Sequence, residues 1–253
     1  MQDDEEEPPL TLDEILGLIR SPATEDRIDG LIELSLLIDS AYGEEGAAIG
    51  QWVRQSGALQ LLAWLVVDSS AEVQQQSLLV LGNLCSDACD PNSTLTKSML
   101  LQQGGQRALL LALRAEDPTV LVYVCGCLQN LCDNGEWAEY LVSEQAEKRL
   151  EQLLTHDNHR VVHYAAGALK NMMNRVGRSA ELKSMAPDAL KAIEKRERDA
   201  LLGALRYRRA VRLIKNFARN INPEKRLERV LAASNRPKVD EAEEAAARAA
   251  VKE

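Results

Sequence analysis

Three asparagines recur in one setting. The segments Leu81-Gly82-Asn83-Leu84-Cys85, Leu128-Gln129-Asn130-Leu131-Cys132 and Leu169-Lys170-Asn171-Met172-Met173 each place an amide between apolar neighbours. A side-chain amide offers donors and an acceptor together, so it suits pairing with a peptide group. Other groups with chemical potential do less. His159 and His163 stand one helical turn apart with His156 nearby, but no acid completes a ligand set, and they read as solvated turn and surface histidines. Cys85-x3-Cys89 and Cys125-x-Cys127 lack zinc-binding spacing. With Cys132 they make an odd count in apolar helical segments, which reads as buried, reduced thiols. No nucleophile stands beside a base, and no glycine-rich phosphate loop occurs. The residues therefore predict neither an enzyme nor a bound cofactor, metal or small-molecule substrate.

The asparagines belong to longer units. Gly57–Cys85, Gly104–Cys132 and Gln145–Met173 align without a gap. Ten residues before each asparagine stand Val73, Val120 and Val161; further back, Leu62, Leu109 and Leu150 correspond. Apolar pairs at i, i+3 and i+4 predict one helix near 58–67, 105–114 and 146–154. Asp68-Ser69-Ser70, Glu116-Asp117-Pro118 and Thr155-His156-Asp157-Asn158 then supply turns. A longer helix follows over 71–86, 118–133 and 159–175, with Pro118 suited to a first turn. A short helix precedes each unit, and Gly57 and Gly104 fit the stops after the first two. Leu- and Ala-rich composition with 4% aromatics favours packed helices over sheets.

Three helices per unit, a period in the forties and the Leu-x-Asn-Leu core resemble the armadillo repeat. The resemblance implies an all-α, right-handed α-α superhelix of about four to five units with divergent capping ends. Core repeats are expected over 48–86, 96–133 and 136–175, and capping units over 11–40 and 180–222. Thr11 and Glu14 form a capping box in the first unit, where Leu36 replaces the asparagine. An acidic disordered segment, 1–10, and a charged Ala-rich tail, 223–253, flank the solenoid spanning 11–222.

In the resembling family the asparagine bonds the backbone of an extended peptide lying along a concave groove. Carried over, this assigns Asn83, Asn130 and Asn171 to the peptide backbone. Gln75, Gln76, Tyr123, Gln129, His163, Tyr164 and Lys170 would line the same face and set sequence preference. Import receptors of this class carry Trp four residues before the asparagine; here Leu79, Gly126 and Gly167 stand there, which argues against a classical import signal. A solenoid-internal role for the asparagines is the competing reading.

Charge is bipolar. Ten acids against Arg20 and Arg27 fill residues 1–30, while 191–229 hold thirteen Lys/Arg against five acids. Within the latter, Arg206, Arg208, Arg209, Arg212, Lys215 and Arg219 form a possible basic contact surface for nucleic acid, an anionic membrane or an acidic partner, or the charged side of a capping helix. The expected function is a protein-protein adaptor or scaffold holding an extended partner segment. The alternatives are charge-driven binding through 204–219 and a chaperone cofactor or exchange regulator that clasps a folded domain. Acidic residues at the start, no export signal and no long apolar run predict a cytoplasmic or nuclear protein that is neither secreted nor membrane-spanning.

Overall fold

A computed structural model describes residues 10–41, 43–185, 191 and 195. The chain divides into two compact units, Met1–Glu194 and Lys195–Glu253, and the account below concerns the first. The basic residues Arg206 to Arg219, the expected tail 223–253 and most of the expected last capping unit lie outside the described residues.

The described elements are all helices. The opening pair is α1 (Leu12–Ile19) and α2 (Thr24–Ser40). Three triplets follow: α3 (Glu44–Gln55), α4 (Ala58–Leu65) and α5 (Ala71–Leu84); α6 (Ser93–Gln102), α7 (Gly105–Ala112) and α8 (Pro118–Leu131); α9 (Gly135–Ser143), α10 (Ala146–Leu153) and α11 (His159–Arg175). The last described helix is α12 (Ser179–Met185). The expected triplets are present, and the middle and long helices end within two residues of the expected bounds.

Local chemistry accounts for the boundaries. The Thr11 hydroxyl accepts from the Glu14 amide while the Glu14 carboxylate accepts from the Thr11 amide, so the capping box is reciprocal. Asp117 caps α8 through Oδ1, with Pro118 in the first turn. Asn134 and Asn158 cap α9 and α11 in the same way. Between the first and middle helices the backbone turns left-handed, at Gly57 (φ 80°), Gly104 (φ 83°) and Gln145 (φ 59°). Gln145 alone among the described non-glycine residues has a positive φ, and it holds the turn that glycine makes in the two earlier units.

The long helices stack in chain order, α2 on α5, α5 on α8 and α8 on α11. Their core positions close completely: Leu81, Leu128 and Leu169 are each fully buried, as are Cys85, Cys132 and Met173. Burying each such leucine is worth about 1.5–3 kcal/mol against leaving it in water. Each unit depends on its neighbours for that burial, as a solenoid requires.

Polar locks tie the triplets together. Arg54 on α3 donates to Asp90 Oδ2 at 2.5 Å and to Thr96 Oγ1 at 2.7 Å, with Asp90 only 1% exposed. Lys97 on α6, itself buried, reaches Asp133 Oδ1 at 2.6 Å, and its main-chain carbonyl accepts from Trp137 Nε1 at 2.9 Å. Both ion pairs span 36 residues. The longer connection between α5 and α6 lies across α3 because Gly46 and Gly50 leave room. A Cβ at Gly46 would overlap the Cys89 carbonyl oxygen, and one at Gly50 would overlap the Asp90 carboxylate.

Two stability outcomes follow from this geometry. Asp90→Ala strands the Arg54 charge in the interior and should cost about 3–5 kcal/mol, read as a fall in the urea midpoint. Gln145→Gly relieves a left-handed side chain and should add about 1 kcal/mol, read as a rise in Tm.

Candidate functional site

Helical spacing divides each long helix into a core side and a second side that faces across the stack. On that second side the structure places Gln75, Gln76 and Asn83 on α5, Tyr123, Gln129 and Asn130 on α8, and His163, Tyr164, Lys170 and Asn171 on α11, all half-buried. Val122, Gly82 and Gly167 occupy the same side but are buried.

The asparagine amides are engaged within the solenoid. Asn130 Nδ2 donates to the Gly82 carbonyl at 2.9 Å, and Asn171 Nδ2 donates to the Gln129 carbonyl at 2.8 Å. Each thereby reaches the residue just before the asparagine of the preceding unit. Asn83 has no asparagine behind it and donates instead to Asp39 Oδ1 on α2, at 2.8 Å. Among the described residues none of the three amide oxygens accepts a hydrogen bond. One donor of each amide is thus spent on the stack, while the acceptor is left for another group.

The three positions expected to hold Trp in an import receptor instead shape the surface. Above Gly126 lies the Tyr164 ring, whose Cδ1 would sit 3.6 Å from a Cβ there. The Gln129 side chain covers Gly167 so closely that a Cβ would meet its Oε1 at 2.6 Å. That Oε1 is buried and accepts no hydrogen bond among the described residues. Tyr164 is held edge-on by His163, with ring centroids 5.1 Å apart and planes at 62°.

A cavity of about 370 Å³ opens where these features meet. Leu79, Val122, Tyr123 and Tyr164 form apolar walls; Asn83, Asn130 and Gln129 bring amides; Gly82 and Gly126 form the floor. Arg160, exposed on the first turn of α11, supplies the single charge in the lining and forms no ion pair among the described residues. A second opening of about 320 Å³ lies farther along, between Asp133, Asn171, Asn174 and Arg175. Of the cavity lining, the sequence singles out Asn83, Asn130, Gln129, Tyr123 and Tyr164 but not Arg160, which sits outside the aligned offsets. Nor does it single out Asp39, whose role depends on the first unit lacking an asparagine.

The thiols take no part in this surface except Cys127, which touches the cavity from beneath. Burial pushes Cys85 and Cys125 up to about 12, and raises Cys127 and Cys132 as well. Such groups stay protonated at neutral pH and unreactive. Among the described residues no cluster of three His, Cys, Asp or Glu could hold a metal ion, and no helix is long and apolar enough to cross a membrane. In native protein at pH 7.5, iodoacetamide should label the half-buried Cys89 first, and the other four cysteines only after unfolding. Peptide mass mapping reads the order.

Comparison with known proteins agrees with this fold. Residues 51–86 match the family model described as armadillo/beta-catenin-like repeat. No curated protein gives a significant match to the chain. Among solved structures, a designed armadillo repeat protein is 20% identical over 68% of this chain and 70% of its own, with a TM-score of 0.57. A second, solved in complex with the peptide (KR)4, is 19% identical with the same coverage and TM-score. A third, from a set computationally designed for modular peptide recognition, is 20% identical over 70% of this chain and 72% of its own, also with a TM-score of 0.57.

Proposed function

From the premise that the chain is an armadillo-type repeat solenoid, we propose that it is a protein-binding scaffold that holds an extended segment of a partner along the stacked face of α5, α8 and α11. The observation that carries this reading is that, among the described residues, the acceptor of each register asparagine is unused, with Asn83 and Asn130 lining one opening and Asn171 the next. Amide oxygens, one per unit, can accept from N–H groups on one side of an extended chain, which recur at every second residue, while the stack fixes the spacing of the acceptors. The donors already committed to Gly82 and Gln129 hold each side chain in one rotamer, so little side-chain entropy remains to be lost on binding.

Preference would come from the cavity. Its walls of Leu79, Val122, Tyr123 and Tyr164 suit an apolar side chain of the bound segment. Designed relatives that bind peptides lend support to the mode of binding and leave the ligand open: the lining here includes Arg160 and no carboxylate, which disfavours a basic peptide such as (KR)4.

The test uses a plug. Gly126→Leu should extend into the cavity without disturbing the fold, since its Cβ meets the Tyr164 ring at ordinary contact distance. Linear peptides selected by phage display on the wild-type chain should lose at least about tenfold in affinity, or 1.4 kcal/mol, on this variant while its circular dichroism and Tm hold. Unchanged affinity on a folded variant would show that the segment binds elsewhere.

A further inference from the structure

The middle helices carry a second surface that the groove does not use. Their inner side is sealed, with Leu62 and Leu109 buried. Two residues further on, Trp64 and Leu111 point outward at equivalent places in consecutive units, 65% and 56% exposed. Helices α4 and α7 pack against each other, so the two stand at matching places on adjacent helices. Val67, in the turn directly after α4, is 44% exposed and extends the apolar strip from Trp64. Arg107 on α7 stands one turn before Leu111, and Arg114, in the turn that follows α7, stands three residues beyond it; both are exposed. Neither arginine forms an ion pair or a side-chain hydrogen bond among the described residues.

We propose that this face docks an acidic amphipathic helix of a partner protein, its apolar stripe seated on Trp64, Val67 and Leu111 and its bordering carboxylates on Arg107 and Arg114. The arrangement of charge selects that occupant. Apolar side chains on α4 and α7, with two guanidinium groups that bracket Leu111 along the chain, are complementary to an apolar stripe edged by Asp or Glu. An exposed Trp beside unpaired Arg is the composition in which binding energy concentrates at protein interfaces. A side chain as large as Trp64, left two-thirds exposed next to a second apolar residue, is seldom kept without a contact to make. Two arginines and three apolar side chains are few for holding a membrane. A single helix, in contrast, can contact all five at once.

The experiment uses the full chain and two synthetic helical peptides, each with leucines at i, i+3, i+4 and i+7. One is bordered by glutamates and the other by lysines. The glutamate peptide should bind and shield Trp64, seen as a fluorescence change that Trp64→Phe abolishes. Trp64→Ala with Leu111→Ser should weaken it at least about tenfold. Arg107→Glu with Arg114→Glu should reverse the preference toward the lysine peptide. The groove-plugging Gly126→Leu should leave all of this unchanged, which separates this site from the one above. Equal binding of both peptides, or of neither, overturns the proposal. So does recruitment to phosphatidylcholine vesicles with about one-third phosphatidylserine in place of the glutamate peptide, or self-association lost with Trp64→Ala.

Discussion

The second and third triplets of this solenoid are each fastened to the one before by a side-chain amide that donates to a main-chain carbonyl. Asn130 reaches Gly82 and Asn171 reaches Gln129, across helices that otherwise meet through apolar contact. Apolar packing gives the stack its stability but tolerates sliding, whereas a directional bond at 2.8–2.9 Å fixes the register between long helices. Structure and proposed recognition thus draw on two ends of one side chain.

That division of labour joins the two readings of the asparagines. A role internal to the solenoid and a role toward a ligand looked like competitors when only residue spacing was considered. An amide has more than one hydrogen-bonding site, and the structure spends only a donor. Where the preceding unit lacks an asparagine, Asn83 turns to the Asp39 carboxylate, so the register bond is replaced at the edge of the repeat array. Glycine at the three helix-crossing positions has a similar double effect. Gly82 lets the Cys127 backbone of the next unit approach, Gly167 lets the Gln129 side chain of the preceding unit approach, and Gly126 leaves the space that Tyr164 borders.

Much of the fold was legible in the residues because its determinants are local. The Thr11–Glu14 box, Asp117 with Pro118, and the left-handed glycines at 57 and 104 mark helix ends through bonds that span a few residues. The fold itself is that of an armadillo-type repeat solenoid, as the repeated Leu-x-Asn-Leu core led one to expect. What escaped notice is long-range. Arg54–Asp90 and Lys97–Asp133 join residues 36 apart, and the shared interval was a signal that single-helix patterns do not expose. The wider spacing from Asn83 to Asn130 than from Asn130 to Asn171 reflects the longer connection between α5 and α6, seated on Gly46 and Gly50. Those glycines look like weak helix formers until the segment lying over them is seen. The cavity was illegible for the same reason, since Arg160 joins it only through the packing of α11 on α8.

The most direct test of the central claim is a crystal structure of the chain with a selected linear peptide bound. The account predicts an extended peptide running across α5, α8 and α11, its main-chain N–H groups donating to the Oδ1 atoms of Asn130 and Asn171 while the Nδ2 bonds of these residues to Gly82 and Gln129, respectively, persist. A peptide seated on another face, or one that binds only after those internal bonds break, would contradict it.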